Sequence, residues 1–152
     1  MSEKAQYVTL GVDGEIFALP IEQVQEILDS QPISKLPQAP ANLLGMTDVR
    51  GEGIAVLDLR LTLGMPAAVN TENTRIVVLK LETPDRLLTV GLRTDRVFEV
   101  TSLDEAELGS PPDVTRDWKD HAVAGIGRRN GAFVSVLDLD RLIIQSTSAL
   151  AA

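Results

Sequence analysis

Ile54-Ala55-Val56-Leu57-Asp58-Leu59 returns eighty residues later as Val134-Ser135-Val136-Leu137-Asp138-Leu139. In each copy an apolar run with β-branched residues suits a pleated strand. Each run ends on an aspartate that can accept hydrogen bonds from the free amides of a following helical turn. The same step of eighty carries Gly45 to Gly125 and Gly51 to Gly131. A second step, of 73 residues, carries Ala18 to Gly91, Val24 to Val97, Glu26 to Glu99 and Ile27 to Val100. The difference puts about seven extra residues between these strands in the second half, where an acidic stretch with Pro111-Pro112 lies. Two related halves of about 70 residues, each forming a five-stranded barrel, account for both steps.

Around these anchors the chain reads as about ten short strands separated by turn residues. Strands are expected over 7–12 and 15–19, joined by Asp13-Gly14, a pair that supplies the positive φ of a tight hairpin. Pro20 is placed to open one helical turn over Ile21-Glu22-Gln23 before a strand at 24–28. Pro32, Pro37 and Pro40 mark a loop, because proline donates nothing to a ladder. Strands follow at 44–50 and 54–57 with Gly51-Glu52-Gly53 as the turn, then a short helix from Asp58 to Gly64. The second half adds strands at 75–81, 87–92 and 97–100, a long acidic loop at 102–120, and a hairpin about Asn130-Gly131. A closing helix starts at Asp138, and residues 145–152 read as a frayed tail. The fold class is all-β, with small barrels and short helices.

Composition excludes several functions. The 152 residues carry a formal charge of −8 and a pI near 4.6, without the basic stripe that phosphate binding needs. There is no cysteine, which removes disulfides, thiolate nucleophiles and cysteine metal sites. The polar start, Met1 to Gln6, is not a signal peptide, and no apolar run approaches the roughly 20 residues that span a bilayer. A cytoplasmic, free-standing protein without cofactor or metal is expected. No phosphate loop or nucleophile–base pattern is present, so the chain reads as a non-enzyme. A small acidic hydrolase is the competing reading, and a regulatory piece of a larger kinase is another.

Four stretches give the chain a resemblance to the CheW family of chemotaxis coupling proteins. They are residues 17–27 (Phe17 to Ile27), 45–51 (Gly45 to Gly51), 56–60 (Val56 to Arg60) and 137–142 (Leu137 to Leu142). The likeness runs from Tyr7 to Ile144 and implies a single CheW-like domain over 1–152. It implies two SH3-like barrels sharing an apolar core: a first subdomain over about 13–80, and a second over about 81–140 with strands from the N-terminus. It also implies an adaptor that joins chemoreceptor cytoplasmic tips to the regulatory domain of the chemotaxis histidine kinase. Such an adaptor is recruited to membrane receptor arrays, and a chemosensory pathway with another output is the alternative. The family often has asparagine at Asp48, an aliphatic residue at Gly53 and proline at Ala55, so these departures bear on partner choice.

Candidate partner-binding residues come from the resemblance: Val24, Glu26, Gly45 and Arg50. It suggests that Glu26 and Arg50 pair across neighbouring strands, where a carboxylate and a guanidinium can share two parallel hydrogen bonds. A plain surface pair is the alternative. Val24 reads either as a contact residue or as a core strand position, and Gly45 either as a contact or as a close backbone approach. Gly51 serves turn geometry, and Asp58 and Asp138 serve as helix caps rather than as an acid–base pair. His121 has no companion for a metal site, and Trp118 is expected to pack over the second barrel.

Overall fold

The computed structural model describes residues 5–105, 107–109 and 123–143. Trp118, His121, Pro111-Pro112 and the tail from 145 lie outside them. Ten strands follow in order: β1 (Tyr7–Val12), β2 (Glu15–Pro20), β3 (Val24–Asp29), β4 (Leu43–Val49), β5 (Glu52–Asp58), β6 (Arg75–Glu82), β7 (Leu87–Thr94), β8 (Arg96–Thr101), β9 (Val123–Arg129) and β10 (Ala132–Leu137). A 3-10 turn, Ile21–Gln23, separates β2 from β3, and α1 (Leu59–Thr62) follows β5. A second helical turn occupies 139–143. Pro20 ends β2 at φ −58° and precedes the 3-10 turn instead of opening it.

The strands form two five-stranded sheets. The first has the order β3-β6-β7-β5-β4 and the second the order β8-β1-β2-β10-β9. Replacing β1, β2, β8, β9 and β10 by β6, β7, β3, β4 and β5 converts one order into the other. The registers agree residue by residue. β2 and β10 pair in parallel with Phe17 opposite Ser135 and Ala18 opposite Val136, and β7 and β5 pair with Val90 opposite Ala55 and Gly91 opposite Val56. Both steps of the repeat, 73 and 80, are therefore built into one ladder. The bulges recur as well: one between Leu43 and Gly45 on β4, and one between Val136 and Leu137 on the β9–β10 ladder, where Val123 and Gly125 are the partners.

The boundaries expected for the two subdomains need correction. β2 belongs to the second sheet and β7 to the first, so neither 13 nor 80 divides them. Each half of the repeat inserts its leading hairpin into the other half's sheet. The reason is burial. An inserted hairpin is covered on both faces, and Val8 to Val12 and Ile76 to Leu79 are accordingly buried without alternation. Edge strand β3 alternates instead, half-buried and exposed, along Val24 to Asp29.

One core joins the sheets. Leu10, Phe17 and Leu19 of the second sheet pack with Leu57, Leu79, Leu81 and Leu92 of the first, and Leu139 and Ile143 close one side. Each buried leucine contributes about 1.5–3 kcal/mol. A smaller cluster of Ala18, Leu103, Val134 and Val136 lies on the other face of the second sheet. The SH3-like, all-β class read from the sequence is the one observed.

Candidate protein-docking site

The β4–β5 hairpin turns on Arg50-Gly51, with φ of 53° and 84°, not on Gly51-Glu52-Gly53 as the sequence suggested. Asp48 sets this turn, its Oδ1 accepting from the Gly51 amide at 2.7 Å. The other two hairpin turns with this geometry place Asp13 and Asn130 at the first position. Asp and Asn tolerate left-handed backbone through local hydrogen bonding, whereas arginine has no such compensation.

From this turn Arg50 reaches Glu26 on β3, Nη2 to Oε2 at 2.7 Å. The pair has one short bond rather than two. It also does not bridge neighbouring strands, because β3 and β4 are the opposite edges of the first sheet. The guanidinium therefore ties one edge to the other. Its side chain is 77% exposed while that of Glu26 is 17% exposed, so the carboxylate is a mostly buried base for an outward-facing cation. Glu26 Oε1 is buried without a hydrogen-bond partner. A small cleft of about 120 Å³ opens beside the pair, between Gln25, Val49 and Glu52.

Gly45 lies on the same edge at φ 144°, a backbone region that disfavours side chains. A Cβ there would overlap the Ser34 carbonyl oxygen. That carbonyl accepts from the Met46 amide and the Ser34 amide donates to the Met46 carbonyl, both at 2.8 Å. Gln31 donates to Thr47 Oγ1 at 2.7 Å and to the Asp48 carbonyl at 2.8 Å, and Thr47 donates to the Pro32 carbonyl at 2.9 Å. The proline loop thus straps β3 to β4. Val24 is half-buried against the main core. Gln31 and Ser34 carry no signal in the sequence beyond being polar residues near prolines, and Thr47 reads only as a strand residue.

The second sheet carries a counterpart. Glu99 pairs with Arg129 at 3.5 Å, and Asp104 accepts from the Asn130 and Gly131 amides at 2.9 Å each. Gly109 bridges to Ile126 as Ser34 bridges to Met46. The side chains differ: Phe133 stands where Gly53 is and Phe98 where Gln25 is, and they are 67% and 46% exposed. Arg128 lies over the Phe133 ring at 4.7 Å, and Arg96 over Phe98 at 4.8 Å, both within cation–π range.

Asp58 accepts from the Arg60 amide at 3.0 Å at the start of α1, and Asp138 accepts from the Arg141 amide at 3.2 Å. Asp58 is also buried against Arg93, 3.6 Å away. Burial disfavours the Arg60 cation, but the hydrogen bond and charge of Asp95, and then those of Asp13, outweigh it and raise its pKa above the ordinary value. Among the described residues no group of His, Cys, Asp or Glu could hold a metal ion, and no helix is long and apolar enough to cross a membrane.

The family model for the CheW-like domain matches residues 6–146, most of the chain. The chain is 28% identical over 148 residues to the chemotaxis protein CheW of Rhizobium meliloti strain 1021, covering 92% of this chain and 93% of that one. It is 25% identical over 137 residues to the chemotaxis protein CheW of Bacillus subtilis strain 168, covering 90% and 85%. The crystal structure of the scaffolding protein TtCheW from Thermoanaerobacter tengcongensis superposes with a TM-score of 0.80 at 26% identity, covering 92% of each chain. The chain belongs to the CheW-like domain family, which is one of scaffolds and adaptors and not of enzymes.

Proposed function

We propose that the chain couples chemoreceptor cytoplasmic tips to the regulatory domain of a chemotaxis histidine kinase, working in the cytoplasm and recruited to membrane receptor arrays. Val24, Glu26, Gly45 and Arg50 form the face that engages partners. The observation that carries this reading is Arg50. It occupies a left-handed turn position where its two counterparts are Asp13 and Asn130, and it holds its charge outward on a mostly buried carboxylate. A turn alone favours asparagine there, and local strain of this kind collects at functional positions. Glu26 fixes the guanidinium at a defined place on the edge, and Gly45 lets the proline strap lie close beneath it. Val24 then offers apolar contact beside the charge.

The test is direct binding. The purified chain is titrated separately with a kinase regulatory domain and with a receptor cytoplasmic fragment from the same bacterium. Binding to both supports the proposal. Binding to neither, with the fold intact by circular dichroism, removes it.

A further inference from the structure

The β9–β10 turn joins the carboxamide of Asn130 to a following residue, Gly131, that has no Cβ. Such a pair can react with itself. The Gly131 amide nitrogen attacks Asn130 Cγ and forms a new C–N bond. The bond from Cγ to the side-chain nitrogen breaks, and that nitrogen leaves as ammonia with the proton given up by the Gly131 amide. The product is a cyclic imide, which water opens at either carbonyl to give aspartate or isoaspartate. A side chain at 131 would crowd the attacking nitrogen, and glycine removes that obstacle. Asn130 and Gly131 are both exposed, so water reaches them.

The folded chain holds this pair in a clamp. Asp104 Oδ1 accepts from the Asn130 amide and Oδ2 from the Gly131 amide, both at 2.9 Å. Asp104 is anchored in turn on β9, its own amide donating to the Arg128 carbonyl at 2.7 Å. One carboxylate thus spans the turn. In the two turns of the same shape, Asp48 takes the Gly51 amide and Asp95 takes the Asp13 amide. The turn with both amides on one carboxylate is the one that carries the reactive pair.

This contact opposes the attack in three ways. The nitrogen must give up its proton, and that proton is engaged by Asp104. A negative charge so near disfavours creating a second one on the nitrogen. Ring closure also needs rotation about the Asn130 Cα–C bond, while the clamp fixes the turn at φ 52° and 84°. Leaving that geometry breaks hydrogen bonds to a charged acceptor, which are among the stronger ones.

We infer that Asn130 is a deamidation site, and that Asp104 is the positioning residue that keeps it unreacted while the chain is folded. The inference does not depend on which partners bind. Its consequence falls on the edge that carries Phe133. Reaction replaces a neutral residue by an acid next to Arg128-Arg129. Isoaspartate also adds a main-chain carbon between Arg129 and Ala132, which pair across the turn. Release of the clamp therefore changes both the charge and the register of the second edge without an enzyme.

The test follows deamidation of the purified chain during incubation at one pH and temperature. The chymotryptic peptide ending at Phe133 gains one mass unit, and its isoaspartate form separates by chromatography. Wild type unfolded in guanidinium chloride gives the unclamped rate. Folded wild type reacts at least about tenfold more slowly, the factor that one hydrogen bond to a charged group supplies. Asp104→Ala moves the folded chain toward the unclamped rate. Asp48→Ala removes the matching carboxylate from the first sheet's turn and leaves Asn130 reacting as in wild type. Asn130→Gln is the blank, and circular dichroism checks the fold of each variant. If Asp104→Ala does not fold, Asp104→Asn, which loses the charge but keeps an acceptor, is read in its place. Folded wild type reacting as fast as the unfolded chain overturns the inference. So does a rate in the Asp104 variant no higher than in Asp48→Ala.

Discussion

The two sheets share strand order, parallel register and bulges, yet they present different edges. The first offers a charged edge, with Arg50 in a left-handed turn over the Ser34–Met46 strap. The second offers Asn130 at the same turn and the exposed rings of Phe98 and Phe133. Duplication preserved what the backbone needs and released the side chains that face outward. The shared features fix the backbone, one buried difference at Arg93 adds stability to the first unit alone, and the proposed function assigns recognition to the outward-facing differences.

The largest test of that division is Arg93. Its equivalent in the other half is Pro20, so nothing comparable exists there. Arg93→Met leaves Asp58 buried without its cation and lowers stability by about 3–5 kcal/mol in urea unfolding. A loss below 1 kcal/mol would show the two units to be equally independent of the ionic cluster.

Gly45→Ala comes next. It forces a side chain onto left-handed backbone and against the Ser34 carbonyl, costing about 1–3 kcal/mol for the strain alone. Gly125→Ala meets the Leu108 Cβ at 2.7 Å and needs no left-handed φ, so its loss in the same urea assay is smaller. Equal losses would mean that the two straps are equivalent.

The caps sharpen the contrast further. Asp138→Ala costs about 1 kcal/mol, the ordinary value for a lost N-cap. Asp58→Ala costs more by thermal unfolding, because it also takes one of two nearby carboxylates from the buried Arg93, leaving Asp95. The smallest change is expected for Arg50→Asn. The ion pair it removes joins an exposed cation to a mostly buried Glu26, and the better fit of asparagine to the turn offsets part of that loss, so the net cost stays below about 1 kcal/mol while partner binding falls. Retained binding would reduce Arg50 to a turn residue.

Much of this architecture was legible in the sequence, because Val56-Leu57-Asp58-Leu59 and its copy mark the same strand-to-helix passage in both units. The exchange of hairpins was legible only in part: strands from the N-terminus are expected in the second unit, but β2 beyond residue 13 is not, nor is β7 in the first. A repeat step states which segments are alike, but not which sheet each one joins, and assigning residues 13–80 to one unit assumed that neighbours in sequence pair in space. Tyr7–Val12 and Glu15–Pro20 do pair with each other, but the hairpin then docks beside β10, more than 100 residues away. At the site, Glu26 and Arg50 were found through the family resemblance. Gln31, Ser34 and Arg93 were not, because their partners are set by strand closure rather than by local spacing. Arg93 did leave a trace: an arginine ending the apolar run Val90-Gly91-Leu92 marks a buried cation that needs a carboxylate.

The most direct measurement compares charge reversals at the two edges. Arg50→Glu and Arg129→Glu are titrated with the receptor cytoplasmic fragment by calorimetry, with folding checked for each. The asymmetry predicts that Arg50→Glu loses receptor binding while Arg129→Glu keeps it. Equal affinities for the two variants would contradict the claim that recognition resides in the side chains by which the edges differ.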